Sequence, residues 1–230
     1  MNALSYDRPL RVGLFGGTFN PIHCGHAQVA KDVLYRYQLA SIHFIPSALP
    51  PHKTKGTLAT AMDRYEMACM ALAEEPSFNI SDIEIKRTGP SYTIDTLRHF
   101  KALQTDDETQ FFFIIGLDAF LEIHTWKSFR QLFDLAAFIV MTRPQGPNPA
   151  PDMKEQAAQF AKERISAAYA LSCHGDAMVH PAKQPIYLAP VTPVDISSSR
   201  IREMIGQGQS IRNWVAPTVA AYIEKKGLYR

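Results

Sequence analysis

Cysteine is scarce, net charge is close to zero and no apolar run is long enough to span a bilayer; each lack removes a class of function. Cys24, Cys69 and Cys173 are odd in number, widely spaced and form no C-x-x-C pair, which argues against a disulfide framework or a zinc ribbon. Lys and Arg number 24 against 22 Asp and Glu, a net charge of +2, so the chain carries no broad footprint for a nucleic-acid duplex or a membrane surface. The most apolar stretch, "FFFIIGLDAFLEI" (111–123), is short for a membrane span and carries Asp118 and Glu122. The opening "MNALSYDRPLR" has no apolar core of a secretory signal, so a reduced, cytoplasmic protein is expected, with neither nucleic acid nor membrane as partner. Two nucleotide fingerprints are also missing. No G-x-x-x-x-G-K-S/T occurs, which excludes a P-loop enzyme, and no G-x-G-x-x-G follows the first strand-like run, which weakens a dinucleotide-binding reading.

What is present is ordinary in amount: 46% hydrophobic and 20% charged residues over 230 positions, enough for one sizeable core and too apolar for disorder. Short β-rich runs alternate with helical patterns. "RVGLF" (11–15), "IHFIP" (42–46), residues 78–85, "FFFIIG" (111–116), "AAFIVM" (136–141) and "IYLAP" (186–190) read as strands. Between them the spacing predicts helices over 27–38, with Val29, Val33, Leu34 and Tyr37 on one face, and over 61–75, with Met62, Tyr65, Ala68, Cys69 and Leu72 inward. Further helices are expected near 93–103, near 126–134 and, after a capping-box pattern of Asp152 and Glu155, to about 170. Such alternation points to an α/β fold, a Rossmann-like, doubly wound, mainly parallel sheet with helices on both faces. One domain over 1–230 is expected, with 144–185 inserted and 191–230 forming a C-terminal helical part.

In doubly wound sheets ligands sit beyond the carboxyl ends of the strands. That puts Gly16–His26, Pro46–Lys53, Gly116–Asp118 and Thr142–Arg143 on one rim. The first of these, within "GLFGGTFNPIHCGHAQVA" (13–30), is dense in glycine, proline and histidine where neither strand nor helix gains from them. "HCGH" admits a metal site, although the usual zinc spacing is missing, or a tight turn with incidental histidines. It also admits phosphate handling: Gly16, Gly17 and Thr18 leave the strand with open backbone, and a helix beginning near Gly25 turns its free N–H groups and dipole to an anion.

"GGTFNPIHCGH" resembles the G-T/S-F-x-P-x-H-x-G-H signature of the HxGH nucleotidyltransferase superfamily, and "ISSSRIRE" (196–203) resembles its second, C-terminal element. Alone, the latter would read as serines capping a helix with solvated arginines; the two together, in this order, carry the resemblance. It implies ATP phosphates held by Gly16, Gly17, Thr18, Phe19, Ser198, Ser199 and Arg202, with His23 and His26 catalytic, and Mg²⁺ held mainly by phosphates and water, with no protein metal ligand. "PSALPPHK" (46–53), "RTGPSYTIDTL" (87–97), "IIGLDAFLEIHTW" (114–126), "FIVMTRP" (138–144) and "YIEKKGLYR" (222–230) further resemble the bacterial nicotinate-mononucleotide adenylyltransferase family.

That resemblance implies ATP and nicotinate mononucleotide as substrates, joined by direct in-line attack. Tyr92 and Thr93 would offer backbone N–H groups to the nicotinate carboxylate, Trp126 would stack on the pyridine, and Asp118 would hydrogen-bond in the nucleotide site. Lys53 and Arg143 would balance phosphate charge. The plainer alternatives are a core anchor for Trp126 and a surface role for Arg143. Cys24 is expected to fill space, since direct transfer needs no covalent intermediate. Competing readings are nicotinamide mononucleotide or phosphopantetheine as acceptor and a non-catalytic nucleotide sensor; a class I aminoacyl-tRNA synthetase would need a KMSKS-type loop and an RNA-binding domain, and neither is visible. A homo-oligomer is left open.

Overall fold

The computed structural model describes residues 9–50, 58–104, 109–142, 153–192 and 194–230. Expected elements at Lys53, Arg143, the proline-rich stretch to 151 and Asp152 lie outside the described residues. Among the described residues eight strands form one sheet: β1 (Leu10–Gly17), β2 (Ser41–Pro46), β3 (Phe78–Ile80), β4 (Thr109–Gly116), β5 (Ala137–Thr142), β6 (Ala170–Leu171), β7 (Ala177–Val179) and β8 (Ile186–Pro190). Their order is β3-β2-β1-β4-β5-β8-β7-β6. All pairs from β3 to β8 are parallel, and β7 and β6 extend the sheet antiparallel.

The helices are α1 (Cys24–Arg36), α2 (Ala61–Leu72), α3 (Ile83–Lys86), α4 (Thr93–Ala102), α5 (Leu117–Leu121), α6 (Phe129–Leu135), α7 (Met153–Phe160), α8 (Ser198–Gly206) and α9 (Pro217–Lys226). They cover both faces, which is why the central strands read as continuous apolar runs. Alternation sorts each strand between two cores. Phe15, Phe44, Phe112, Ile114 and Ile139 meet α1, α2, α8 and α9. Leu14, Ile45, Phe113, Ile115, Phe138 and Val140 meet α4, α5, α6 and α7. Each such side chain, fully buried, contributes about 1.5–3 kcal/mol.

Several expectations are corrected. The run 78–85 is strand only over Phe78–Ile80; the Ser81 hydroxyl accepts from the Ile83 N–H (3.4 Å) and the Asp82 carbonyl from those of Ile85 and Lys86 (both 2.9 Å), so side-chain turn chemistry wins over the β-propensity of two isoleucines. Trp126 stands outside a helix, because Ser128 adopts a left-handed backbone (φ 52) and α6 starts only after it. The helix expected to reach 170 ends as α7 plus one π turn (Ala161–Ile165), and the inserted region supplies two short strands no periodicity announced. On α2 the buried residues are Arg64, Met67, Ala68 and Leu72, while Met62 is 53% exposed. The buried face lies about a quarter turn from the expected one, because a fully buried arginine sits on it.

Helix α9 is tied to α2 through Asp63. Its carboxylate accepts from the hydroxyls of Thr60 (2.6 Å) and Tyr222 (2.8 Å), with the Lys226 ammonium 3.8 Å away. Burial pushes the carboxyl up, but these hydrogen bonds and the lysine outweigh it and hold Asp63 below its ordinary 3.8. The Tyr222 phenol, desolvated and facing that charge, is pushed up to about 12 and stays a donor. A depressed folded value adds stability above the unfolded value that is lost as pH falls through the folded one. Asp63→Asn is therefore expected to cost about 1 kcal/mol at pH 7. Thermal melts of the two proteins should converge as pH drops below 3.8, and a gap that persists in acid would contradict the assignment.

Candidate active site

The chain runs β1-β2-β3 to one side and β4-β5-β8 to the other, so the order reverses between β1 and β4. At such a switch point the loops leaving the two strands diverge and open a crevice. Here the crevice is a cleft of 640 Å³, lined at its floor by Gly16, Gly17 and Thr18 after β1, Ile45 and Ser47 from β2, and Ile115 and Gly116 from β4. Its far wall is Tyr92, Thr93 and Thr96 at the start of α4, with Thr125, Trp126 and Lys127 beyond α5.

The β1 end is bare backbone for a packing reason. A Cβ on Gly17 would lie 2.7 Å from the Phe19 ring, and Phe19 itself takes a left-handed backbone (φ 47) and is 3% exposed. Phe19, expected at the phosphates, turns its side chain into the core against Phe15, Phe44 and the edge of His26. It supports the loop and does not offer its side chain to a ligand.

His23 and His26 flank the start of α1 with their rings 3.8 Å apart. His26 Nδ1 accepts from the His23 backbone N–H at 3.2 Å, so in the neutral ring the proton lies on Nε2, which is then a donor. The C-terminal element packs on this segment. The Ser198 hydroxyl donates to the Pro21 carbonyl (2.9 Å), Arg202 to the Asn20 carbonyl (2.8 Å) and to the Ser199 hydroxyl (3.2 Å), and the Cys24 N–H to the Trp214 carbonyl (2.8 Å). Residues about 180 positions apart thus stand together as the sequence predicts. Two details differ. Ser197, not singled out from the sequence, is the residue that caps α8, accepting from the Arg200 N–H (3.1 Å). The Ser198 hydroxyl is committed to Pro21 and the Arg200 N–H to Ser197, so what α8 can offer an anion is the N–H groups of Ser198 and Ser199 and the Ser199 hydroxyl.

On the opposite wall both residues of the expected pair, Tyr92 and Thr93, line the cleft, and one of the two amides has a partner within the chain. The Tyr92 N–H donates to the Pro90 carbonyl (3.0 Å), whereas the N–H groups of Thr93 and Ile94 open α4 and have no partner within the helix. Trp126 is half-buried, packs edge-on to Phe113 of the core at 6.3 Å, and also lines the cleft. Asp118 is exposed and folds back over Gly116, where a Cβ would lie 2.6 Å from its Oδ1; it stands beside the cleft, not in its lining. Thr142 is 5% exposed and does not line the cleft. Lys53 and Arg143 fall outside the described residues.

Sequence reasoning missed Lys127, whose ammonium bonds Asp95 (3.1 Å) and lies 4.6 Å over the Tyr92 ring, and Glu84, which takes the Thr96 hydroxyl (2.7 Å) at the cleft's base. Glu84 sits on a segment that looks like strand, and nothing in its spacing marks it. Among the described residues no group of three or more His, Cys, Asp or Glu could hold a metal ion. The donors present are backbone N–H groups, hydroxyls and imidazoles, a set that fits a metal carried by phosphates and water. Among them too, no helix is long and apolar enough to cross a membrane.

The cytidylyltransferase-like family model matches residues 14–204. A protein of Desulfatibacillum aliphaticivorans named "probable nicotinate-nucleotide adenylyltransferase" is 41% identical over 96% of this chain and 100% of its own length. One of Thermus thermophilus with the same name is 38% identical over 96% of this chain and 100% of its own. Among solved structures, Plasmodium falciparum nicotinic acid mononucleotide adenylyltransferase complexed with NaAD has the same fold, with a TM-score of 0.70 at 20% identity, covering 95% of this chain and 97% of that one.

The Gly17 contact yields a test. Gly17→Ala forces a methyl against the Phe19 ring and is expected to cost about 1–3 kcal/mol of stability. A melting temperature unchanged from the parent would show that the loop relaxes around the methyl.

Proposed function

This chain belongs to the cytidylyltransferase-like family and groups there with the nicotinate-nucleotide adenylyltransferases, and on that premise we propose that it transfers the adenylyl group of ATP to nicotinate mononucleotide. A phosphate oxygen of the mononucleotide bonds to the α-phosphorus, the bond from that phosphorus to the β-phosphate's bridging oxygen breaks, and pyrophosphate leaves with the electron pair. Nicotinate adenine dinucleotide is the other product, a step of NAD biosynthesis. Two unlike halves meeting at the β1–β4 switch point carry the assignment: one of bare backbone and imidazole suited to phosphates, one of helix N-terminus and indole suited to a flat acid.

In this reading the first half binds the triphosphate through Gly16, Gly17, Thr18, His23, His26 and the α8 N-terminus, with Arg202 adding charge. Little covalent work falls to the protein; donors aimed at developing charge do most of it. His26 Nε2–H is the donor for oxygens that gain charge as pyrophosphate departs. ATP is used with a divalent ion, for which we propose Mg²⁺, neutralising phosphate charge; no protein carboxylate cluster is needed to carry it.

In the second half the Thr93 N–H and the positive end of α4 meet the nicotinate carboxylate, and the Trp126 indole stacks on the ring. A carboxylate is acceptor-only, whereas an amide would turn its NH₂ toward those donors, a mispairing of about 1–3 kcal/mol. Acid is thus favoured over amide about tenfold or more. Lys53, Arg143 and Asp118 keep the roles the resemblance gives them as part of this proposal. So do a single nucleotidyltransferase unit and a cytoplasmic location.

Pyrophosphate release from MgATP, measured with nicotinate mononucleotide, nicotinamide mononucleotide and phosphopantetheine side by side, tests the reading. Release is expected with the first and weakly with the second; release only with the third would overturn the acceptor, and silence with all three would overturn catalysis. His26→Ala should lower kcat by about a hundred- to a thousandfold with the melting temperature preserved. Trp126→Ala should raise KM for the mononucleotide roughly tenfold and leave that for ATP alone. Cys24→Ala, at an exposed position, should keep most activity. Normal turnover by the histidine variant, or none by the cysteine variant, would contradict the assigned chemistry.

A further inference from the structure

Arg64 on α2 is fully buried, at 0% exposure, an unusual place for a permanent cation. Its fork does not close on a carboxylate; it is spread over three backbone carbonyls. Nε donates to Ala59 (3.1 Å), one terminal nitrogen to Thr18 (2.7 Å) and the other to Ala48 (3.2 Å). Burial opposes the charge, and Glu84, within electrostatic reach, steadies it.

The three carbonyls belong to different loops. Thr18 follows the bare end of β1. Ala48 follows β2, just past the last contact of the β1–β2 pair, where the Ser47 N–H meets the Gly17 carbonyl at 2.9 Å. From Ala48 the connection continues to the other wall: the N–H groups of Ala48 and Leu49 donate to the Ser91 hydroxyl (2.9 and 3.2 Å), and the Ser91 N–H returns a bond to the Leu49 carbonyl (3.1 Å). Ser91 leads directly into Tyr92 and Thr93. One guanidinium therefore stands between the loop that would hold the triphosphate and the segment that would hold the nicotinate.

We propose that Arg64 is a positioning residue that holds these two loops in register, fixing the gap between the attacking phosphate and the α-phosphorus. This rests on the adenylyl-transfer reading above. A planar fork has its donors set in fixed, divergent directions, which suits carbonyls converging from three segments. An ammonium carries the same charge on a single point and cannot reproduce that spread. Substrate affinity comes from groups on each loop separately, whereas the reaction needs both loops placed together. Loss of register should therefore appear in kcat more than in KM.

Arg64→Lys, which keeps the charge, is the variant to make, read by steady-state kinetics with both substrates and by hydrogen exchange of backbone amides. An error of about 1 Å in placing reactants costs on the order of a hundredfold in rate. The expected result is a kcat lowered by about that factor, KM for either substrate within roughly threefold of the parent, and faster exchange in both loops with the β4 and β5 amides unchanged. A kcat per folded molecule equal to the parent's, or faster exchange everywhere alike, would overturn the proposal in favour of plain structural support. Should Arg64→Lys not fold, Ser91→Ala cuts the same connection at its other end. It should speed exchange at Ala48 and Leu49 and lower kcat without changing KM for ATP, and unchanged exchange and kcat would be contrary. If the parent itself forms no dinucleotide, the adenylyl-transfer reading fails, and exchange in the two loops of Arg64→Lys still decides whether Arg64 couples them.

Discussion

Everything at the site depends on one constraint: β1 must end in backbone that nothing covers, at the point where the sheet reverses its winding. Gly16 and Gly17 meet it. The Phe19 ring sits so close beneath Gly17 that no side chain fits there. The same ring stands edge-on to His26, so the packing that bares the backbone also sets the position of an imidazole. Loop, histidines and the start of α1 form one packed unit, and the C-terminal helix α8 closes on it through Pro21 and Asn20.

A loop so placed cannot be held by apolar contacts alone, because its carbonyls must find donors once they leave the ladder. The protein supplies them from far away in sequence. Arg64 reaches Thr18, and Arg202 reaches Asn20. The Asn20 side chain accepts from the Ala59 N–H (3.1 Å) and from the Tyr229 hydroxyl (2.8 Å), which brings the end of the chain under the loop. Burial pushes the Tyr229 phenol up, so it stays protonated and donates. Half-satisfied buried networks cost more than apolar packing would. These bonds are what allows polar groups beneath a site that must bind charge.

Much of this was legible in the sequence for a physical reason. Strands buried on both faces have to be written in apolar residues, so β1, β2, β4, β5 and β8 were visible as runs. The glycines and histidines of "GGTFNPIHCGH" were visible because neither strand nor helix gains from them. What escaped was written in directions instead of residue types. No spacing shows that the Tyr92 N–H points to Pro90, or that Ser197 caps α8 by accepting the Arg200 N–H. Arg64 was hidden because a period of apolar residues treats a charge as a solvent-facing position. The strands β6 and β7, two and three residues long, carry too little pattern to read.

The central claim is that adenylyl passes directly between two substrates lying in one cleft, with the protein supplying position and charge and no nucleophile of its own. ATP made chiral at the α-phosphorus with a sulfur and an oxygen isotope reports this from the configuration of the dinucleotide product. A single in-line displacement predicts inversion at phosphorus. Retention would mean two displacements and an adenylylated enzyme, and would contradict the account.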